Sequence, residues 1–224
     1  MSLDAPPWPS KDLHDLLDAG ERERAARFHF ALHRLRFVHG RGLLRRMLGH
    51  GTGIAPAAIR FDHGAQGKPR LADQTSVQGG GLDFNLSHSG PLALLALSDG
   101  AQIGVDIELP REMPDLLAIA RRNFAPAEFR AMTAWPEHSR ADAFLACWTR
   151  KEAFVKALGS GLSMPLADFE VSLDPDGPAQ LRHVADPAHP ISDFTVWAGR
   201  VPGGGLAATI VRRPGASVSR FSLV

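Results

Sequence analysis

The segment Gly104-Val105-Asp106-Ile107-Glu108 sets two carboxylates two residues apart in a run whose branched apolar residues read as a strand. Alternate side chains of a strand share a face, so Asp106 and Glu108 point one way while Val105 and Ile107 point into a core. Neighbouring carboxylates repel each other, and close to an interior they are costly unless a positive charge sits between them. A hard divalent cation meets that need. Magnesium is commonly held by one or two carboxylates, with phosphate oxygens and water completing its octahedron. A D-x-E pair also suits a solvent-facing strand edge that discourages aggregation, and the segment alone does not choose between the two.

Two further segments carry chemistry. In Trp148-Thr149-Arg150-Lys151-Glu152-Ala153-Phe154-Val155-Lys156, helical geometry puts Glu152 and Lys156 on one face at i, i+4, with Trp148 on the same stripe and Lys151 one residue to the side. Glu152 could serve as a third carboxylate or as a general base, and the lysines could neutralise phosphate oxygens. The plain alternative is a surface Glu–Lys pair. Phe84-Asn85-Leu86-Ser87-His88-Ser89-Gly90 ends a strand in small polar residues where N–H groups, a hydroxyl and His88 could meet an anion, or it is simply a turn. His29 and His33 have the i, i+4 spacing of zinc ligands, but no third ligand follows at suitable spacing. No Walker-type or G-x-G-x-x-G phosphate loop is present.

The charge distribution suits a phosphate-bearing ligand with a metal. Between Glu21 and Arg46 stand eight arginines, Arg24, Arg36 and Arg41 among them, against two glutamates. From Asp99 to Asp115 five acidic residues face only Arg111. An arginine-rich helix that merely solvates its outer face would look the same. The chain has 224 residues, 44% hydrophobic and 22% charged, enough for one large domain or two small ones. No apolar run reaches the roughly 18 residues of a membrane span. The start of the sequence does not have the pattern of a signal peptide. Cys147, the single cysteine, excludes an internal disulfide and reads as a small core residue. A cytoplasmic protein is the expectation.

These residues need elements to hold them. Periodicity predicts helices over 10–19, 21–48 (with Gly40 and Gly42 as interruptions), 127–133 and 140–158. Strands are predicted over 58–62, 82–86, 92–97, 102–109, 169–173, 180–184, 194–198 and 206–212, with 66–70 as a turn. Each half offers a helix followed by several strands. The fold class is therefore α+β, with a hint of two similar units that no residue-level repeat supports.

In order and in their intervals, Asn85-Leu86-Ser87-His88-Ser89, Gly104–Glu108 and Trp148–Lys156 resemble the motifs of the Sfp-type 4′-phosphopantetheinyl transferases. Gly67-Lys68-Pro69, the arginine-rich N-terminal helix and Gly161-Leu162-Ser163-Met164-Pro165-Leu166 fit the same family. The resemblance implies two similar α/β subdomains related by a pseudo-two-fold axis, placed at 1–105 and 106–224, with the active site in the cleft between them. It implies Asp106, Glu108 and Glu152 as magnesium ligands. Lys156 and Lys151 would lie near the pyrophosphate and the reacting centre, Ser87 and His88 at coenzyme A phosphates, Lys68 and Pro69 beside the nucleotide, and Arg36 at the 3′-phosphate. Arg24 and Arg41 align there less closely. The implied reaction moves the phosphopantetheine arm of coenzyme A to a serine of an apo carrier protein (acyl, peptidyl or polyketide), releasing adenosine 3′,5′-bisphosphate. Glu152, or a water held by the metal, would take the serine proton, and the residues do not decide between them. The resemblance further implies a monomer and a secondary-metabolism carrier. The chain contains no tyrosine, so any contact a relative makes with tyrosine must be made otherwise here.

Two other readings compete. A magnesium-dependent nucleotide phosphohydrolase would use the same carboxylates, but Lys68-Pro69 and Ser87-His88 in family order argue against it. A nucleic-acid-binding module is disfavoured by the mixed charge and the lack of aromatics interleaved with the arginines. Neither nucleic acid nor membrane is an expected partner.

Overall fold

Asp18 and Glu21 start the first substantial helix. In the computed structural model, which describes residues 1–64, 66–72, 81–161 and 164–223, the Asp18 carboxylate accepts from the Glu21 backbone N–H, and the Glu21 carboxylate accepts from the Asp18 N–H. This capping box opens α2 (Ala19–Ala26), behind the short α1 (Ser10–Asp15). The single helix expected over 21–48 is thus two. Phe30 is extended at φ −93° and ψ 130°, and α3 runs over Ala31–Thr52. Gly40 and Gly42 lie inside α3 without interrupting it. Gly42 admits α1, since a Cβ there would stand 2.6 Å from the Leu13 carbonyl oxygen.

The inner face of α3 covers β3 (Leu82–Ser89) and β4 (Leu92–Asp99), an antiparallel hairpin in register from Leu82↔Asp99 to Ser89↔Leu92. Leu44 and Leu48 of the helix are buried with Phe84, Ile59 and Leu71. Beside them lies a small antiparallel pair, β1 (Phe61–His63) and β2 (Pro69–Leu71). Pro69-Arg70, expected as a turn, is therefore strand, and Pro69 occupies its first position, where a missing N–H is tolerated.

The second half repeats the plan of helix over strands. β5 (Ile103–Glu108) pairs with β9 (Gly205–Val211), which pairs with β8 (Thr195–Val201), all antiparallel in the order β5-β9-β8. α6 (Arg140–Leu158) lies across this sheet, and Phe144, Phe154, Leu206, Ala208 and Ile210 meet in the largest core. The same core takes in α4 (Leu116–Asn123), which periodicity does not predict, α5 (Pro126–Thr133), and the pair β6 (Phe169–Val171) and β7 (Leu181–Val184). Cys147 is fully buried there, and burial pushes its thiol well above its ordinary value. The α+β class holds. A division at 105/106 would cut β5, whose register partners all lie in β9. Leu162 and Ser163 of the Gly161–Leu166 motif lie outside the described residues. Among the described residues no helix is long and apolar enough to cross a membrane.

Candidate active site

β5 is the edge of its sheet, so the N–H groups on its outer side need partners from elsewhere. They find them in side chains of β3. Asp83 accepts from the Ile103 N–H at 2.8 Å, Asn85 from the Val105 N–H at 2.9 Å and Ser89 from the Leu109 N–H at 3.1 Å. Ser87 donates to Asp106 Oδ1 at 2.8 Å, and Ser89 to Glu108 Oε2 at 3.0 Å. The polar residues at every second position of β3 thus form a comb that joins the two halves. The strand predicted over 82–86 carries Asp83 and Asn85 on one face, with no partner specified for them. Their alternation continuing through Ser87 and Ser89 was the available signal, since a polar row of that length suits an unpaired strand edge.

Opposite the comb stands α6. Gly104, Asp106 and Glu108 share the face of β5 that meets this helix, and Gly104 permits the approach. A Cβ at Gly104 would overlap the Ala153 carbonyl oxygen and the Ala157 nitrogen, and would lie 2.8 Å from the Lys156 carbonyl carbon. Gly104→Ala is therefore expected to cost about 1–3 kcal/mol or more and to reduce activity beyond the loss of folded protein, because it displaces Glu152 and Lys156 from Asp106. Urea unfolding together with the rate per folded molecule would check this; wild-type values for both would remove the close approach from the account.

The resulting cluster joins Asp106, Glu108, Glu152 and Lys156. Lys156 Nζ lies 2.5 Å from Asp106 Oδ1. Asp106 is buried, and burial raises its carboxyl above the ordinary value against the opposing pull of Lys156, Ser87 and the Ile107 N–H. Burial likewise raises Glu152; Lys156 opposes the shift, while Asp106 and Glu108 add to it. Both rises come chiefly from burial, which disfavours the charged form. Asp106 Oδ2 is buried with no hydrogen-bond partner, an exception that needs an explanation. A divalent cation with oxygen ligands fits: it would give Oδ2 a partner and offset the repulsion. Among the described residues no three His, Cys, Asp or Glu side chains close into a ready metal cage.

The other predicted residues separate. Lys151 lies apart from the cluster. It is fully buried, its Nζ 2.8 Å from Glu128 Oε2 and donating to the carbonyls of Leu166 at 2.7 Å and Phe169 at 2.5 Å, and it faces the core. A step of one residue on a helix turns the side chain by about 100°, which separates Lys151 from Glu152. Glu128, which the sequence reading did not single out, also accepts from the N–H groups of Ala125 and Val171. Lys68 is nearly enclosed, donating to Asp83 and to the Ile103 carbonyl, both at 2.8 Å. It lines a cavity of about 220 Å³ with Arg70, Gly81, Asp83 and Gly159. Pro69 is half-buried beside it. His88 is exposed and, by strand alternation, lies on the side of Phe84 and Leu86, opposite Ser87. Arg36 makes a two-pronged pair with Asp4 at 2.7 and 2.8 Å and holds that carboxyl below its ordinary value. Arg41 binds Glu21 at 2.9 Å, and Arg24 lies 5.2 Å from the centre of the Phe37 ring. Much of the basic helix is thus engaged in holding the fold. Trp148 stacks on Phe144, with ring centres 5.7 Å apart.

Comparison with known proteins bears on this arrangement. Residues 102–211 match the family model of the 4′-phosphopantetheinyl transferase superfamily, and residues 9–99 match that of the 4′-phosphopantetheinyl transferase N-terminal domain. The chain is 42% identical over 182 residues to the 4′-phosphopantetheinyl transferase HetI of Nostoc sp., covering 81% of this chain and 76% of that one. It is 34% identical over 157 residues to the 4′-phosphopantetheinyl transferase Sfp of Bacillus subtilis, covering 70% and 66%. Among solved structures, the Thermotoga maritima holo-[acyl-carrier-protein] synthase aligns with a TM-score of 0.38 at 21% identity, over 50% of this chain and 63% of that one. With 42% identity to a relative of which it spans 76%, and with both halves matched by family models, the chain belongs to the 4′-phosphopantetheinyl transferase superfamily.

Proposed function

We propose that this protein transfers the 4′-phosphopantetheine group of coenzyme A to a serine of an apo acyl or peptidyl carrier protein and releases adenosine 3′,5′-bisphosphate. The observation that carries the reading, in a chain of this superfamily, is the buried Asp106 with one unsatisfied oxygen beside Glu108, Glu152 and Lys156. Asp106, Glu108 and Glu152 hold magnesium in this reading. When bound, the ion supplies charge stabilisation at the pyrophosphate.

The chain's own residues do the rest. In the transfer, the serine oxygen forms a bond to the phosphorus on the pantetheine side of the pyrophosphate. The bond from that phosphorus to the bridging oxygen breaks, and the electron pair leaves with the bisphosphate. Glu152, on the face of α6 that meets Asp106 and Glu108, would take the serine proton. Lys156 neutralises a non-bridging oxygen. Ser87 and Ser89 orient Asp106 and Glu108 through the hydrogen bonds described above. Lys68 and Pro69 border the nucleotide, and His88 and Arg36 lie toward its phosphates. For Arg36 this requires release from Asp4, to which it is bound.

The repeated plan of a long helix over antiparallel strands supports two subdomains related by a pseudo-two-fold axis. The chemistry falls at the seam where the β3 comb meets β5, so the division belongs before Ile103. A monomer in the cytoplasm that serves carriers of secondary metabolism completes the reading. None of the relatives named above is a nucleotide phosphohydrolase.

Intact-protein mass spectrometry of apo carriers incubated with the enzyme, coenzyme A and magnesium tests the proposal. A gain of one phosphopantetheine on a carrier, absent when its acceptor serine is replaced by alanine, is the expected result. No mass change across a varied panel of folded carriers, with folded enzyme, would overturn it.

A further inference from the structure

Among the described residues, Lys156 is the lysine that meets this carboxylate cluster with its side chain partly exposed. The protein has four lysines. Lys11 pairs with Asp15 on α1, and Lys68 and Lys151 are enclosed by carbonyls and a carboxylate. Lys156 differs from both enclosed lysines. Its side chain is 30% exposed, its Nζ lies 2.5 Å from Asp106 Oδ1 and 3.4 Å from Ser87 Oγ, and no backbone carbonyl is among those partners. The ammonium occupies one oxygen of Asp106 and leaves Oδ2 bare. Lys156 thus acts on Asp106 and on Glu152, and Asp106 Oδ2 still has no partner.

We infer that Lys156 is an exchangeable cation: it holds the carboxylate site while no metal is bound, and when a divalent ion takes Asp106 it swings to the anionic phosphates of the co-substrate. The inference rests on the magnesium and coenzyme A reading above. An ammonium at contact distance from Asp106 competes with an incoming dication for the same oxygen and repels it. Two charges of one sign within a few ångströms shift an affinity on the order of tenfold even with substantial solvent screening. Once displaced, the long flexible side chain stays on the same helix face as Glu152 and retains a charge that needs an anion. One residue thereby opposes the metal and favours the phosphates, which couples the two ligands: each bound phosphate draws away the competitor of the metal.

Manganese(II) serves as the probe, with electron paramagnetic resonance measuring the free ion. Lys156→Met is expected to bind manganese about tenfold more tightly than the wild type in the absence of coenzyme A, and to bind coenzyme A more weakly at saturating manganese. Lys156→Arg should keep wild-type manganese affinity. Ser87→Ala, which removes a contact to Asp106 without removing a charge, should not reproduce the tightening. Lys156→Gln gives the same comparison if the Met variant fails to fold. The inference is overturned if a folded Lys156→Met or Lys156→Gln binds manganese no more tightly than the wild type. It also fails if the affinities for metal and coenzyme A fall together, as a merely structural role would produce, or if Ser87→Ala tightens manganese equally. Wild-type enzyme that binds no manganese and modifies carriers in chelator would refute the metal reading itself, and this inference with it.

Discussion

Asp106→Ala is expected to lower carrier modification by at least about a thousandfold while leaving the circular dichroism spectrum and the melting temperature close to those of the wild type. The two halves of this prediction have separate causes. Asp106 joins the β3 comb, the Lys156 ammonium and the unsatisfied Oδ2 in one group, so its loss disables the proposed ion site and frees Lys156. The fold loses little, because burial already disfavours the charged form of this carboxylate. The Lys156 side chain, 30% exposed, can turn to water. The measurement is transfer rate per folded enzyme at saturating magnesium and coenzyme A. Full activity would mean that the carboxylate site is not where the chemistry occurs.

The second large effect concerns stability. Lys151→Met is expected to destabilise the protein by about 3–5 kcal/mol, the range for removing one partner of a buried ion pair. Lys151 is 0% and Glu128 2% exposed in their side chains. Glu128 would be left charged in the core, and the carbonyls of Leu166 and Phe169 would lose a donor. Glu128→Gln beside Lys151→Met should recover part of the loss, since it removes the unpaired buried charge, while its single amide oxygen still accepts from only one of the Ala125 and Val171 N–H groups, which bond to different oxygens of Glu128. Urea unfolding of the two single variants and the double variant measures this. The same experiment separates the structural role from the one the family resemblance implied. A Lys151 that contacted phosphate would weaken coenzyme A binding with stability intact, whereas a core Lys151 lowers stability and leaves the affinity of the folded fraction unchanged.

Part of the site followed directly from local periodicity. A strand repeats every two residues, so Asp106 and Glu108 had to share a face. A helix repeats near four, so Glu152 and Lys156 had to stack. Both relations are set by backbone geometry within a few residues, and both are present in the fold. The α+β class and the positions of β3, β4, β5, α6 and β9 were legible for the same reason.

The tertiary structure decided what each face meets. The one-residue offset of Lys151 looked harmless in the sequence, yet rotation about the helix axis sends it into the core while Glu152 faces the carboxylates. Asp83, Asn85, Ser87 and Ser89 read as an ordinary polar face until β5 arrived as an unpaired edge whose N–H groups required acceptors. The arginines of α2 and α3 looked like a single basic surface. Arg45 is instead fully buried between Asp18, Glu21 and the Ile59 carbonyl, and Arg41 is bound to Glu21. Spacing along a chain specifies which side chains travel together. Whether a charge then meets solvent, a carboxylate or a carbonyl depends on which distant segment packs against it, as the close approach of α6 to β5 at Gly104 decides for Glu152 and Lys156.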